Sequence, residues 1–117
     1  MGDRANVKVV DGASTVFLYT HWGGSELPET LQRALSRRLR WDDGQYLSRI
    51  IFCEMVKGYE DGETGFGISS NCGDGDERIL TVNVRKQKVF INGGDGIPFD
   101  SYASQKYKPK WHDEEDQ

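Results

Sequence analysis

The chain is short, ordinary in composition and mildly acidic. Its 117 residues are too few for two independent cores, and 36% hydrophobic with 29% charged residues is typical of a globular protein. The net charge of −4 argues against a general polyanion binder, so nucleic acid is not an expected partner. No segment is apolar enough to span a membrane, and the polar residues 1–8 predict no signal peptide. These features predict an intracellular, cytoplasmic protein.

The first part of the chain is predicted to form a β-hairpin. Residues 6–10 and 15–20 are rich in β-branched and aromatic side chains, and Asp11-Gly12 between them is a turn dipeptide. The second of these strands is apolar on both faces, which predicts a central position in the sheet.

Two amphipathic helices are predicted next. Ser25 is the expected N-cap of the first, whose stripe of leucines runs to Leu39. Asp42 is the expected N-cap of the second, which ends before Gly58 and holds Cys53 as a buried small hydrophobe. A basic ridge is predicted on a separate face of the first helix, formed by Arg33, Arg37 and Arg40.

Three further strands are predicted in the second half, at residues 65–69, 79–84 and 88–91. The element order ββααβββ predicts an α+β two-layer sandwich, with a mainly antiparallel sheet of about five strands and two helices on one face. Residues 1–96 are expected to form a single α+β domain. Residues 97–117 have little periodicity and are expected to be a loosely packed extension with an acidic tail.

The loop that leads into the first helix is the most distinctive candidate site. It places an imidazole and an indole at a strand end, then glycines, then helix-start N–H groups that can hold an anion. Tryptophans would stack on a base and arginines would add charge. The predicted site for a nucleotide-like ligand comprises His21, Trp22, Gly23, Gly24, Ser25, Arg33, Arg37 and Trp41. A purely structural interpretation stays open, in which Trp22 fills a gap between helix and sheet and the arginines are solvated.

Catalysis and metal binding have little support in the residues. Cys53 and Cys72 match no zinc spacing, and the acids of residues 71–77 do not follow an EF-hand pattern. We therefore expect no enzyme, no metal and no cofactor. One alternative is a small enzyme acting on a nucleotide or nucleic acid, with His21 as acid or base. Another is a structural or assembly protein that forms a homo-oligomer through an exposed strand edge.

Three segments carry a resemblance, residues 16–28, 40–43 and 46–55, with the motifs YTHWGGSELP, RWDD and YLxRIIFxEM. They resemble a group of short, uncharacterised proteins from bacteria and their phages, over about residues 16–84. The resemblance implies a prokaryotic or viral source and carries no catalytic residues. Because small phage proteins often act against their host, the expected function is non-enzymatic binding by a phage-encoded inhibitor of a host defence system. It would sequester a nucleotide-like molecule, or block a host protein through the acidic surface of residues 59–77, in the host-cell cytoplasm.

Overall fold

The computed structural model of the chain describes residues 2–73 and 77–111. These residues form a six-stranded mixed sheet with three α-helices, which confirms the predicted α+β class and adds one strand and one helix to it. The strands are β1 Ala5–Asp11, β2 Ser14–Thr20, β3 Phe66–Ser69, β4 Ile79–Asn83, β5 Lys88–Ile91 and β6 Ile97–Pro98. The helices are α1 Leu27–Leu35, α2 Gly44–Met55 and α3 Phe99–Ala103.

The strand order in the sheet is β3-β2-β1-β4-β5-β6. β1 and β4 are parallel, and the other neighbours are antiparallel. The predicted β1–β2 hairpin forms, with Gly12 at a φ of 63° in its turn, and so does the β4–β5 hairpin. β2 is an internal strand but not the central one, because the chain returns after the two helices and places β4 beside β1.

The helices cover one face of the sheet and enclose the core. Side chains alternate along each strand, so every second residue points toward the helices, as Ala5, Val7 and Val9 do on β1. Opposite them, α1 contributes Leu27 and Leu31 to the same apolar cluster. Among the helices described, none is long and apolar enough to cross a membrane.

α1 ends one turn earlier than the leucine pattern predicts. Its last carbonyls accept from side chains and from backbone N–H groups. Ser36 Oγ donates to Arg33 O at 2.7 Å, and Leu35 O accepts from Arg38 N–H at 3.0 Å and from Trp41 Nε1 at 3.1 Å. The chain then leaves the helix, and Leu39 is exposed instead of joining the core.

The prediction that three arginines form a ridge at helical spacing is therefore wrong. Arg33 lies on α1, whereas Arg37 follows the end of that helix. Arg40 lies beyond it with a φ of 58°, in the left-handed region, so helical periodicity does not extend to it.

Three local expectations differ from the structure. Ser25 is not an N-cap, because it lies inside a 3₁₀ turn at Gly24–Glu26 that precedes α1. Asp43, rather than Asp42, caps α2 and accepts hydrogen bonds from the backbone N–H groups of Gln45 and Tyr46. Cys53 is exposed, because it lies on the solvent side of α2.

The segment from residue 97 to Trp111 is packed into the core, which corrects the expectation of a loose extension. Phe99, Tyr102 and Trp111 are fully buried, and the Tyr102 hydroxyl donates to Pro28 O at 2.7 Å. Burial, with a smaller contribution from neighbouring charges, raises the pKa of Tyr102 well above 10.0. These anchors are irregularly spaced, so no periodicity marks them in the sequence. The acidic tail at residues 113–116 lies outside the described residues.

Candidate functional site

An open groove of about 910 Å³ lies between α1, the C-terminal end of α2 and the β2–β3 side of the sheet. Its apolar lining comes from Leu27 of α1, Met55 of α2 and Phe66 of β3. A volume of this size lies within the range of pockets that hold small ligands. Polar, charged and further aromatic residues complete the lining: Thr20, Trp22, Gly23, Glu26, Thr30, Arg33, Ser36, Glu54, Lys57 and Tyr59.

Two large aromatic side chains of the groove are exposed to solvent. Trp22 is 57% exposed and Tyr59 is 67% exposed. The Trp22 ring packs against Gly65, and the Tyr59 ring lies 6.1 Å from that of Phe66, centroid to centroid. Exposed aromatic rings beside a groove provide flat surfaces on which a planar ligand can stack.

Glu54 organises the cationic part of the groove. Its carboxylate is 6% exposed and lies 3.8 Å from Arg33 Nε, 3.2 Å from Arg37 Nε and 3.3 Å from Lys57 Nζ. Thus one buried carboxylate of α2 holds cations from α1, from the residues just after α1 and from the residues just after α2. Arg33 and Lys57 remain more than half exposed, so an incoming anion can still reach them.

The charge of the groove is divided along α1. Glu26 lies at the start of the helix, near Trp22, whereas Arg33 lies seven residues further on. At 1.5 Å per residue this separation is about 10 Å along the helix axis. An anionic group would therefore be repelled at the Trp22 end and attracted at the Arg33 end.

The structure brings only part of the predicted site together. Trp22, Gly23 and Arg33 line the groove, and Arg37 contacts Glu54 in its wall. Trp22 is exposed, so it does not fill a gap between helix and sheet.

The helix-start N–H groups are already engaged by the chain. Gly24 N–H donates to Asp3 O at 2.7 Å, and Ser25 N–H donates to Asp3 Oδ2 at 2.9 Å. The Ser25 hydroxyl also donates to Asp3 Oδ1. Because an internal carboxylate occupies the position that the sequence assigns to a ligand anion, Gly24 and Ser25 have a structural role here.

Neither of the two remaining residues of the predicted site lines the groove, although the His21 ring packs edge-on against that of Trp22, with the centroids 5.3 Å apart. His21 Nδ1 accepts from Arg4 Nε at 3.3 Å and lies 3.0 Å from the Tyr19 hydroxyl. Trp41 bonds Leu35 O beyond the far end of α1, and its ring packs on Phe99.

Sequence reasoning missed Glu54, Lys57 and Tyr59 as groove residues. Glu54 is the only acid in the apolar run from residue 50 to residue 56, and such a residue usually has a cationic partner. Tyr59 stands out in the sequence as the aromatic residue of an otherwise charged, glycine-containing turn. Neither feature indicates which residues of α1 lie opposite.

Gly65 controls the position of Trp22, which leads to a testable expectation. Its φ of +99° is strained for other residues, and a methyl group there would overlap the Trp22 ring. We expect Gly65→Ala to swing the exposed Trp22 ring away and to destabilise the fold by about 1–3 kcal/mol. Tryptophan fluorescence and urea unfolding check this. Gly73→Ala, with nothing within 4 Å of its added methyl group, is the control. Equal spectra and equal stabilities in the two variants would contradict the expectation.

Comparisons with known proteins identify no relative of this chain. No family model matches the chain, and neither the curated proteins nor the solved structures contain a match. Within residues 2–73 and 77–111, no three His, Cys, Asp or Glu side chains are grouped so that they could hold a metal ion.

Proposed function

We propose that the chain is a non-enzymatic binding protein that captures a nucleotide-like ligand in the groove between α1, α2 and β3. The observation that carries the proposal is the pairing of two exposed aromatic rings, Trp22 and Tyr59, with two accessible cations, Arg33 and Lys57, in one groove. A base has a face for stacking, and a phosphate has oxygens for charge-assisted hydrogen bonds.

The separation of acidic and basic side chains along α1 determines the orientation of this ligand. Its aromatic part lies at the Trp22 end, where Glu26 would repel a phosphate, and its anionic part lies near Arg33 and Lys57. A nucleotide fits the separation of about 10 Å between these two ends of the helix. On binding, the phosphate shares the cations with Glu54, whose carboxylate already holds them at the wall.

The biological role belongs to the same proposal. Resemblance of residues 16–84 to short bacterial and phage proteins supports a phage-encoded inhibitor that lowers the free concentration of a host signalling nucleotide. Capture without turnover is enough for that role, since binding alone removes the ligand from solution.

Binding of a nucleotide panel tests the proposal. AMP, ADP, ATP and a cyclic dinucleotide are titrated into the purified protein by isothermal calorimetry, and at least one is expected to bind. We expect Trp22→Ala to weaken that binding about 5–150-fold, the range for loss of one stacking platform. Arg33→Ala is expected to weaken it about tenfold or more through loss of a charge-assisted bond.

Arg40→Ala is the matched control, because it removes an exposed arginine outside the groove. It should leave the affinity unchanged. Native mass spectrometry of gently purified protein identifies a co-purifying ligand by its mass. No binding across the panel and no bound small molecule, or equal losses in Arg33→Ala and Arg40→Ala, would refute capture in this groove.

A further inference from the structure

β3 is an edge strand, and in the described part of the chain no other strand lies on its outer side. It pairs with β2 alone. The strand contains neither proline nor a charged residue, two of the devices that protect a sheet edge. The wider run of residues 64–73 is also uncharged, although 29% of the chain is charged. Two copies of this acidic protein would therefore bring no like charges together along this segment.

The backbone of β3 presents hydrogen-bonding groups on its outer side. His21 N–H donates to Gly65 O at 2.8 Å, which marks the start of the ladder between β2 and β3. Hydrogen-bonded pairs alternate with non-hydrogen-bonded pairs along an antiparallel ladder. The backbone N–H and C=O groups of the odd-numbered residues of β3 therefore point toward β2. Phe66 and Ile68 consequently direct their N–H and C=O groups away from the sheet.

The side chain of Ile68 adds an apolar surface at this edge. Ile68 lies opposite Leu18 and is therefore on the face of the sheet that the helices cover. It is nevertheless 62% exposed, because the layer of helices does not extend over the edge. Phe66, two residues earlier on the same face, packs against the core. An incoming strand would bury Ile68 beside Phe66.

The opposite edge of the sheet is closed to such pairing. β6 has two residues, Ile97 and Pro98, and α3 begins directly after them at Phe99. Proline has no N–H to donate, and a strand this short offers little ladder. With one usable edge per copy, edge pairing stops at two copies and does not continue into a fibre.

We propose that the outer edge of β3 is a homodimer interface, in which β3 of one copy pairs antiparallel with β3 of a second copy. Phe66 of each copy lies opposite Ile68 of the other, and these pairs exchange all the outward backbone hydrogen bonds. Gly67 then faces Gly67 of the second copy on the two-fold axis. No side chain stands at that axis on the sheet face opposite the helices.

This register is self-complementary and places an apolar residue beside the groove. Phe66 lines the groove, so Ile68 of the second copy extends the apolar surface next to it. The interface does not depend on the proposed ligand. If the chain binds no nucleotide, the proposed dimer still stands. If the chain is monomeric, the groove of one copy is still as described.

Sedimentation velocity over a series of protein concentrations tests the dimer. The wild-type chain is expected to shift from monomer to dimer as its concentration rises. Ile68→Lys should raise the dimer dissociation constant at least about tenfold, because it removes buried apolar area and places a charge at the edge. Leu39→Lys, at an exposed apolar position away from β3, should sediment as the wild type does. A wild-type chain that is monomeric throughout, or an unchanged Ile68→Lys dimer, would overturn the proposal.

Cross-linking tests the register with variants that keep the edge intact. An added Cβ at Gly67 or at Gly73 meets no atom within 4 Å, so cysteine fits at both positions. Cys53 and Cys72 are first replaced by serine. Residues facing each other in a non-hydrogen-bonded pair are about 4.5 Å apart between Cα atoms, a disulfide distance. Gly67→Cys should form a covalent dimer under mild oxidation and Gly73→Cys should not. Equal cross-linking of the two variants would exclude the proposed pairing.

Discussion

Trp111→Ala is expected to destabilise the fold by about 3–5 kcal/mol, the range for loss of a large buried aromatic side chain. Trp111 is fully buried, and its Nε1 donates to Gly24 O at 2.7 Å. Arg78 lies over the indole ring, 5.7 Å from its centroid. Alanine leaves a cavity and removes one of the two donors to Gly24 O, which also accepts from Leu27 N–H, so the apolar loss dominates.

Urea unfolding followed by circular dichroism measures this effect. Trp22→Ala is the matched control, because it removes the same side chain from an exposed position. It should change the free energy of unfolding by less than about 1 kcal/mol. If Trp111→Ala were no more destabilising than Trp22→Ala, residues after 103 would not be anchored to the core as described.

Asp3→Ala is expected to destabilise the protein by about 1–2 kcal/mol at neutral pH, a range lowered for the partial exposure of this carboxylate. Asp3 accepts hydrogen bonds from the amide and the hydroxyl of Ser25 and from Arg78 Nη1. These bonds join the N-terminal segment to the turn before α1 and to the residue that precedes β4. Asp61→Ala removes a carboxylate at an exposed position and is the control, with little expected change.

The pH dependence of the same variant follows from the pKa of Asp3. Partial burial raises this pKa, but the hydrogen bonds from Ser25 and Arg78 outweigh it, so the pKa lies below its usual value of 3.8. A group whose pKa is lowered by folding stabilises the folded state at pH values above its pKa in the unfolded chain. That contribution is lost as the pH falls through its pKa in the folded protein. The stability difference between wild type and Asp3→Ala should therefore be full at neutral pH and shrink below about pH 4. A difference that grows on acidification would contradict this assignment.

Most of the secondary structure could be predicted from local sequence. The two hairpins, both long helices and β3 follow from turn dipeptides, period-two runs and helical spacing. The end of α1 could not be predicted in this way, because leucines continue to Leu39 at helical spacing. After α1 the chain turns at Arg38, which has a φ of 55° and donates its N–H to Leu35 O, and the Trp41 indole bonds the same carbonyl from beyond the turn.

The candidate site was predicted in part, for a similar reason. Trp22 and Arg33 have residue types that suit a ligand, and they line the groove. Ser25 also has a suitable residue type, yet Asp3, distant in sequence, occupies its N–H group. Tyr59 enters the site only because α2 and the following turn bring it to the same side of the sheet as Trp22.

By itself the sequence determined the α+β class, the apolar faces of the elements and the residue types of a possible site. These properties depend on spacing along a few turns of chain, where the period of a helix or strand acts. Tertiary structure alone decided that Phe99, Tyr102 and Trp111 are core, that Glu54 contacts three cations, and that β3 is an open edge among the described strands. Each of these depends on contacts between residues far apart in sequence, which only the packing of the helices on the sheet brings together.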